Sequence, residues 1–156
     1  MAVLALRTTG QNALCVPAPP GMAVRILIAD DDAAIRRLLR RLIENHGDWS
    51  VCGDAGDGQD AVDKAAQLNP DVVVLDLAMP QMNGLQAGRE ISRNLPDVPL
   101  LLLTVQQVSK ELTREAANAG FKGAVSKNTG SEVVRAIEIL LKHENFFQPV
   151  HSDAYV

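Results

Sequence analysis

The sequence has no excess of positive charge. Fifteen Lys and Arg face nineteen Asp and Glu, for a formal net charge of -4. Nucleic-acid and membrane-surface binders normally carry a basic patch or stripe, so neither a membrane nor direct DNA contact is expected. There is also no run of the roughly 18 apolar residues that spans a bilayer. Ala2 to Leu6 is too short for a secretory signal, and Arg7-Thr8-Thr9-Gly10-Gln11-Asn12 interrupts it at once. These absences point to a cytoplasmic chain. Cysteine is scarce: Cys15 lies in a leader and Cys52 in an apolar stretch that reads as a buried strand, which suits reduced thiols better than a disulfide framework. His46, His143 and His151 have no acids or cysteines at ligand spacing and read as solvent-exposed. Internal repeats and low-complexity segments are absent.

What is present is ordinary for a globular protein, 47% hydrophobic and 22% charged residues in 156. That length suits one domain with a real core. Residues 1–22 hold Gly10, Pro17, Pro19, Pro20 and Gly21 without periodicity and read as a flexible N-terminal extension. Residues 23–143 carry the domain, and periodicity is lost in a tail over 144–156.

Within the domain, strand and helix patterns alternate. Val24 to Ala29 is a buried strand, followed by Ile35, Leu38, Leu39, Leu42 and Ile43 on one helix face. Ser50 to Gly53 is a short second strand, and Asp57-Gly58 opens a helix closed by Asn69-Pro70. Asp71 to Asp76, with three valines in a row, reads as a strand covered on both faces. Its helix begins after Asn83-Gly84, and Gly88 weakens that helix by about 1 kcal/mol relative to Ala. Val98 to Leu103 is a fourth strand ending at Thr104, and the helix near Val108 to Ala119 is the least apolar of the five. Gly123 to Ser126 is a fifth strand ending at Lys127. Thr129 and Glu132 have capping-box spacing at the head of the last helix. Right-handed crossovers make the sheet parallel with helices on both faces. The expected fold is a flavodoxin-like, doubly wound (βα)5 sandwich with a five-stranded parallel sheet in the order 2-1-3-4-5.

In such sheets ligands collect at the carboxyl ends of the strands. The polar residues there are Asp30, Asp31 and Asp32 after strand one, Asp76 after strand three, Thr104 after strand four and Lys127 after strand five. Two carboxylates about 4 Å apart repel by roughly 4 kcal/mol at an effective dielectric of 20, so the cluster calls for a cation, and an all-oxygen set suits Mg2+. With Mg2+ in place, Asp76 keeps an oxygen free to act as a nucleophile towards phosphorus. Mg2+, Lys127 and the Thr104 hydroxyl are the groups that would neutralise the transferred phosphoryl oxygens. A flavin-binding flavodoxin is disfavoured, because the loop after strand one is acidic where a phosphate needs donors. Asp32 reads equally well as a helix cap. Trp49 reads as cover for strand two and Phe121 as core. Arg36, Arg37, Arg40 and Arg41 form the polar face of the first helix, solvated by default, with kinase docking as the sharper reading.

Over about residues 24–143 the sequence resembles the receiver domain of two-component response regulators. The likeness rests on Asp30-Asp31 after an apolar strand, Leu75-Asp76-Leu77-Ala78-Met79-Pro80 followed by Asn83-Gly84, Thr104 after Leu100 to Leu103, and Lys127 after Gly123 to Ser126. Gly53-Asp54-Ala55, Asp57-Gly58, Asn128 after Lys127, and Val134 to Ile137 through Phe146-Phe147-Gln148-Pro149 are similar to receivers that precede a LuxR-type helix-turn-helix. The chain ends at Val156, where such a DNA-binding domain would begin, so a single-domain regulator is expected.

The resemblance implies that Asp31 and Asp76 ligate Mg2+ together with the Ala78 backbone carbonyl, and that Asp30 acts through a bound water. A sensor histidine kinase or histidine phosphotransfer protein would phosphorylate Asp76. A phosphorylation-dependent homodimer is a further implied state, and no enzymatic activity beyond self-modification is expected.

Three departures from the family pattern stand out. The aromatic usually found three residues before the strand-five lysine is Ala124, Val105 would crowd the path to Asp76, and Ala78 and Gln106 leave the lifetime of the modified state open. These departures keep two rivals in view, a phosphorelay carrier and a binding module that works without phosphorylation.

Overall fold

The computed structural model describes residues 23–128 and 130–148. The extension 1–22 with Cys15, the proposed cap at Thr129, and residues 149–156 with His151 lie outside them. The elements are β1 (Val24–Ala29), α1 (Ala33–Glu44), β2 (Trp49–Ala55), α2 (Gly58–Leu68), β3 (Val72–Asp76), α3 (Gly84–Asn94), β4 (Leu100–Thr104), α4 (Lys110–Asn118), β5 (Gly123–Ser126), α5 (Gly130–Leu141) and β6 (Phe146–Phe147). All strand pairs are parallel, in the order β2-β1-β3-β4-β5-β6. The flavodoxin-like doubly wound sheet is therefore present, with one strand more than expected.

Every residue of β3 and β4 is buried. Alternate side chains of a strand point to opposite faces, and here both faces are covered. Leu27, Val73, Leu75, Leu100 and Leu102 pack with residues of α2, α3 and α4, whereas Ile26, Ile28, Val72, Val74, Leu101 and Leu103 pack with α1 and α5. Unbroken apolar runs are what such two-sided cover requires. Helix starts follow local chemistry. The Asp57 carboxylate accepts from the Asp60 N–H at 2.8 Å, and Asn83 with Gln86 completes a reciprocal capping box at α3.

The sixth strand lies where a structureless tail was expected. The Phe146 N–H donates to the Lys122 carbonyl at 2.8 Å and the Gln148 N–H to the Ala124 carbonyl at 2.9 Å. Two residues are too few to show periodicity; only the exposed edge of β5 makes them a strand.

His46 is also not the isolated histidine that its sequence neighbours suggest. Its Nε2 lies 2.8 Å from Glu138 Oε2, and its ring stacks on Trp49 with centroids 3.8 Å apart, linking the α1–β2 turn to α5. The partner acid is 92 positions away, beyond any spacing rule. Among the helix-one arginines, Arg37 and Arg41 are exposed. Arg40 Nη1 reaches the Val51 carbonyl at 3.3 Å, and Arg36 is held by Asp54 through Nε at 3.1 Å. Only half of that set forms a solvated face.

Gly88 has a packing reason. A Cβ there would lie 2.2 Å from Cε1 and 2.5 Å from Cζ of Phe121, whose ring is 2% exposed in the core beneath α3 and α4. Substitution by Ala gains about 1 kcal/mol of helix propensity but overpacks a closed core at about 1–3 kcal/mol. Gly88→Ala is accordingly expected to lower the urea midpoint, with a net loss of about 1 kcal/mol. A higher midpoint would mean that the Phe121 ring yields freely.

Candidate functional site

The carboxyl ends of β1, β3, β4 and β5 are neighbours in the sheet, so the polar residues that follow them share one crevice. Asp76 closes β3, in register with Leu103 of β4, and only 3% of it is exposed. Asp30 follows β1, fully buried, with its N–H donated to the Ala55 carbonyl at 3.0 Å. Lys127 follows β5, and its N–H bonds the Thr104 carbonyl at 2.7 Å, which fixes the end of β5 against the end of β4.

The lysine side chain then crosses the crevice. Its Nζ lies 2.7 Å from Asp30 Oδ2 and 3.2 Å from Asp76 Oδ1. Asp31 is exposed, but one of its oxygens, one of Asp30 and one of Asp76 all lie within 4.8 Å of one another. The Thr104 hydroxyl is buried and accepts the Gln106 N–H at 3.1 Å. Ala78 is exposed on the loop after β3.

Asp32 stands apart. Its side chain caps α1 by accepting the Ala34 N–H at 2.8 Å, and its own N–H donates to Asp30 Oδ1 at 2.9 Å. This settles its two readings in favour of the cap. Val105 is 64% exposed, a solvent-facing residue next to Thr104. Ala124 is fully buried in β5.

The spacing gave no sign of Arg36. Its Nη1 donates to the Asp30 backbone carbonyl at 2.6 Å while Nε holds Asp54, so it braces the acidic loop from behind. Nothing in sequence separates it from the three other arginines of α1.

Charge in the crevice is unbalanced. Burial pushes the Asp76 carboxyl above its ordinary value of 3.8, the nearby Asp30 carboxylate adds to the rise, and Lys127 opposes it. For Lys127, burial would lower the ammonium, but the bonds to Asp30 and the charge of Asp76 outweigh burial and leave it above 10.5. Three carboxylates and one ammonium leave surplus negative charge on an all-oxygen donor set with one exposed member. That chemistry fits a small hard dication with part of its water retained. The arrangement offers a nucleophilic oxygen at Asp76, two neutralising groups at Lys127 and the cation position, and a hydroxyl donor at Thr104.

Comparison with known proteins agrees with this geometry. The family model described as the response regulator receiver domain matches residues 26–138. The uncharacterized transcriptional regulatory protein YxjL of Bacillus subtilis is 34% identical over 81% of this chain and 58% of its own length. The response regulator protein VraR of Staphylococcus epidermidis is 32% identical over 82% of this chain and 61% of its own length. The chain thus spans about three-fifths of the length of these curated relatives. Among solved structures, a two-component response regulator of the LuxR family from Aurantimonas superposes with a TM-score of 0.78 at 32% identity, covering 81% of this chain and 91% of that one.

The electrostatics of Asp76 yield a stability test. A carboxyl whose folded pKa lies above its unfolded value binds its proton more tightly when folded. Stability therefore falls as pH rises from about 3.8 through the folded value. Without divalent metal, Asp76→Asn is expected to raise the thermal midpoint at pH 7 by about 2–4 °C, as about 1 kcal/mol would in a domain of this size. The gap from wild type should close as pH falls through that window. A lower midpoint at pH 7 would show that the pull of Lys127 on Asp76 outweighs desolvation.

Proposed function

Because the chain belongs to the response regulator receiver family, we propose that it is a phosphorylation-controlled signalling protein whose phosphoacceptor is Asp76. The observation that carries this reading is the contact of one ammonium, Lys127 Nζ, with both Asp30 and Asp76. It puts a neutralising cation beside Asp76, the carboxylate that ends the central, fully buried β3.

In the proposed step an Asp76 carboxylate oxygen attacks the phosphorus of a partner's phosphohistidine. A P–O bond forms, the P–N bond breaks, and the electron pair of that bond returns to the imidazole nitrogen. Lys127 turns towards the phosphoryl oxygens that replace the free carboxylate. Thr104 keeps its hydroxyl proton while accepting from Gln106, so it has a donor to give to the same group. Asp30, Asp31 and Asp76, with the Ala78 carbonyl, are the residues that would hold Mg2+, which when bound supplies the remaining neutralisation of phosphoryl charge.

The partner is a sensor histidine kinase or a histidine phosphotransfer protein, and the exposed Arg37 and Arg41 of α1 are its proposed meeting face. The modification biases an equilibrium between two conformations. We assign the protein to the cytoplasm and no catalysis beyond its own phosphorylation and dephosphorylation. We assign DNA contact to none of the described residues.

The test is acetyl phosphate with Mg2+ followed by intact-mass measurement. The wild type should gain about 80 Da, Asp76→Asn should gain nothing, and Lys127→Ala should gain it at least about 10-fold more slowly. A wild type that stays unmodified would overturn the assignment and favour a phosphorylation-independent module, and an adduct that survives Asp76→Asn would overturn it by moving the phosphoacceptor to another residue.

A further inference from the structure

Ala124 leaves the family's usual aromatic position empty, yet an aromatic ring lies beside it. In the sheet Leu102 of β4, Ala124 of β5 and Phe147 of β6 are in register. In-register neighbours share a face, and Phe147 packs against the cluster that holds Leu102, Ala124, Val108, Ala116 and Phe121. The ring therefore comes from the outer strand to the α4 side of the sheet, over a residue small enough to admit it.

Backbone and side-chain bonds clasp this strand to β5 along its whole length. Phe146 N–H to Lys122 O (2.8 Å) and Gln148 N–H to Ala124 O (2.9 Å) form the ladder, and Gln148 Oε1 accepts the Ser126 N–H at 2.8 Å. Gly123 makes the approach possible, since a Cβ there would lie 2.5 Å from the Phe146 carbonyl oxygen. The residue after Ser126 is Lys127, whose N–H holds Thr104 and whose Nζ touches Asp76. The clasp and the site thus meet at adjacent residues, Ser126 and Lys127.

We propose that β6 is a phosphorylation-sensitive clasp: residues 146–148 stay zipped to the β5 edge while Asp76 is unmodified and detach when it carries a phosphoryl group. The proposal rests on the phosphoacceptor reading of Asp76. Its physical basis is the sharing of one ammonium. A phosphoryl group on Asp76 takes over the Lys127 ammonium now shared with Asp30 and draws the Thr104 hydroxyl to itself, which shifts the end of β5, and the Ser126 N–H moves with the residue bonded to it. The clasp has few bonds and a half-buried ring to resist that pull, so it belongs to the low-stability end of the structure. Coupling is reciprocal: if phosphorylation loosens the clasp, loosening the clasp must favour phosphorylation.

Hydrogen exchange read by mass spectrometry on the full chain, with and without acetyl phosphate and Mg2+, tests this. Intact mass is measured on the same samples. In phosphorylated wild type the Phe146 and Gln148 amides should exchange at least about 10-fold faster, with protection in β3 unchanged. Asp76→Asn should show no such change. Gln148→Ala, which removes the Ser126 bond without touching the site, should raise the phosphorylated fraction at limiting acetyl phosphate by about 3- to 10-fold. If the adduct forms while protection at 146–148 is unchanged or increased, the clasp is refuted and the phosphoacceptor stands. If Gln148→Ala is phosphorylated no better than wild type, the coupling is refuted. If no adduct forms, the reading of Asp76 fails and the clasp with it.

Discussion

The bridge from Lys127 to Asp30 and Asp76 is the contact on which the site depends. Two carboxylates buried side by side at the end of a parallel sheet are unfavourable, and one ammonium offsets part of their repulsion. It cannot offset all of it, because Asp31 adds a third negative charge within reach of the other two. The residue of uncompensated charge gives the crevice a donor set whose chemistry suits a dication. Replacing Lys127 would expose this imbalance, and removing Asp76 would relieve it, so stability and chemistry pull in opposite directions at one residue.

The scaffold makes such a cluster possible by burying its strands on both faces. β3 and β4 contribute no polar side chain until their last residues, Asp76 and Thr104. Polar groups therefore gather only where the strands end, and parallel pairing puts those ends together. Arg36 extends the same logic behind the site: by binding the Asp30 carbonyl and the Asp54 carboxylate it joins the acidic loop to the end of β2.

At the edge of the sheet Ala124 carries no ring, and Phe147 arrives beside it from a strand that the sequence reads as tail. An outer strand is easier to move than a core residue, because its ladder has a single partner and its side chains are half solvated. A receiver that reports through such a strand would couple its active site to whatever chain follows, with no rearrangement of the core.

The strand and helix order, the doubly wound class and the candidate residues Asp30, Asp31, Asp76, Thr104 and Lys127 were legible because each depends on local pattern: an apolar run, a helical face, a polar residue where a run stops. The capping by Asp32 was half legible, since the same residue type serves as cap or ligand and only the 2.8 Å bond to Ala34 decides. Three features were beyond sequence for a common reason. The roles of Arg36, the His46–Glu138 pair and β6 are each set by a partner far along the chain, and their own neighbours in sequence carry no mark of it. Local chemistry determined which residues could meet at the crevice; packing of distant segments alone decided what braces it and what lies against its outer edge.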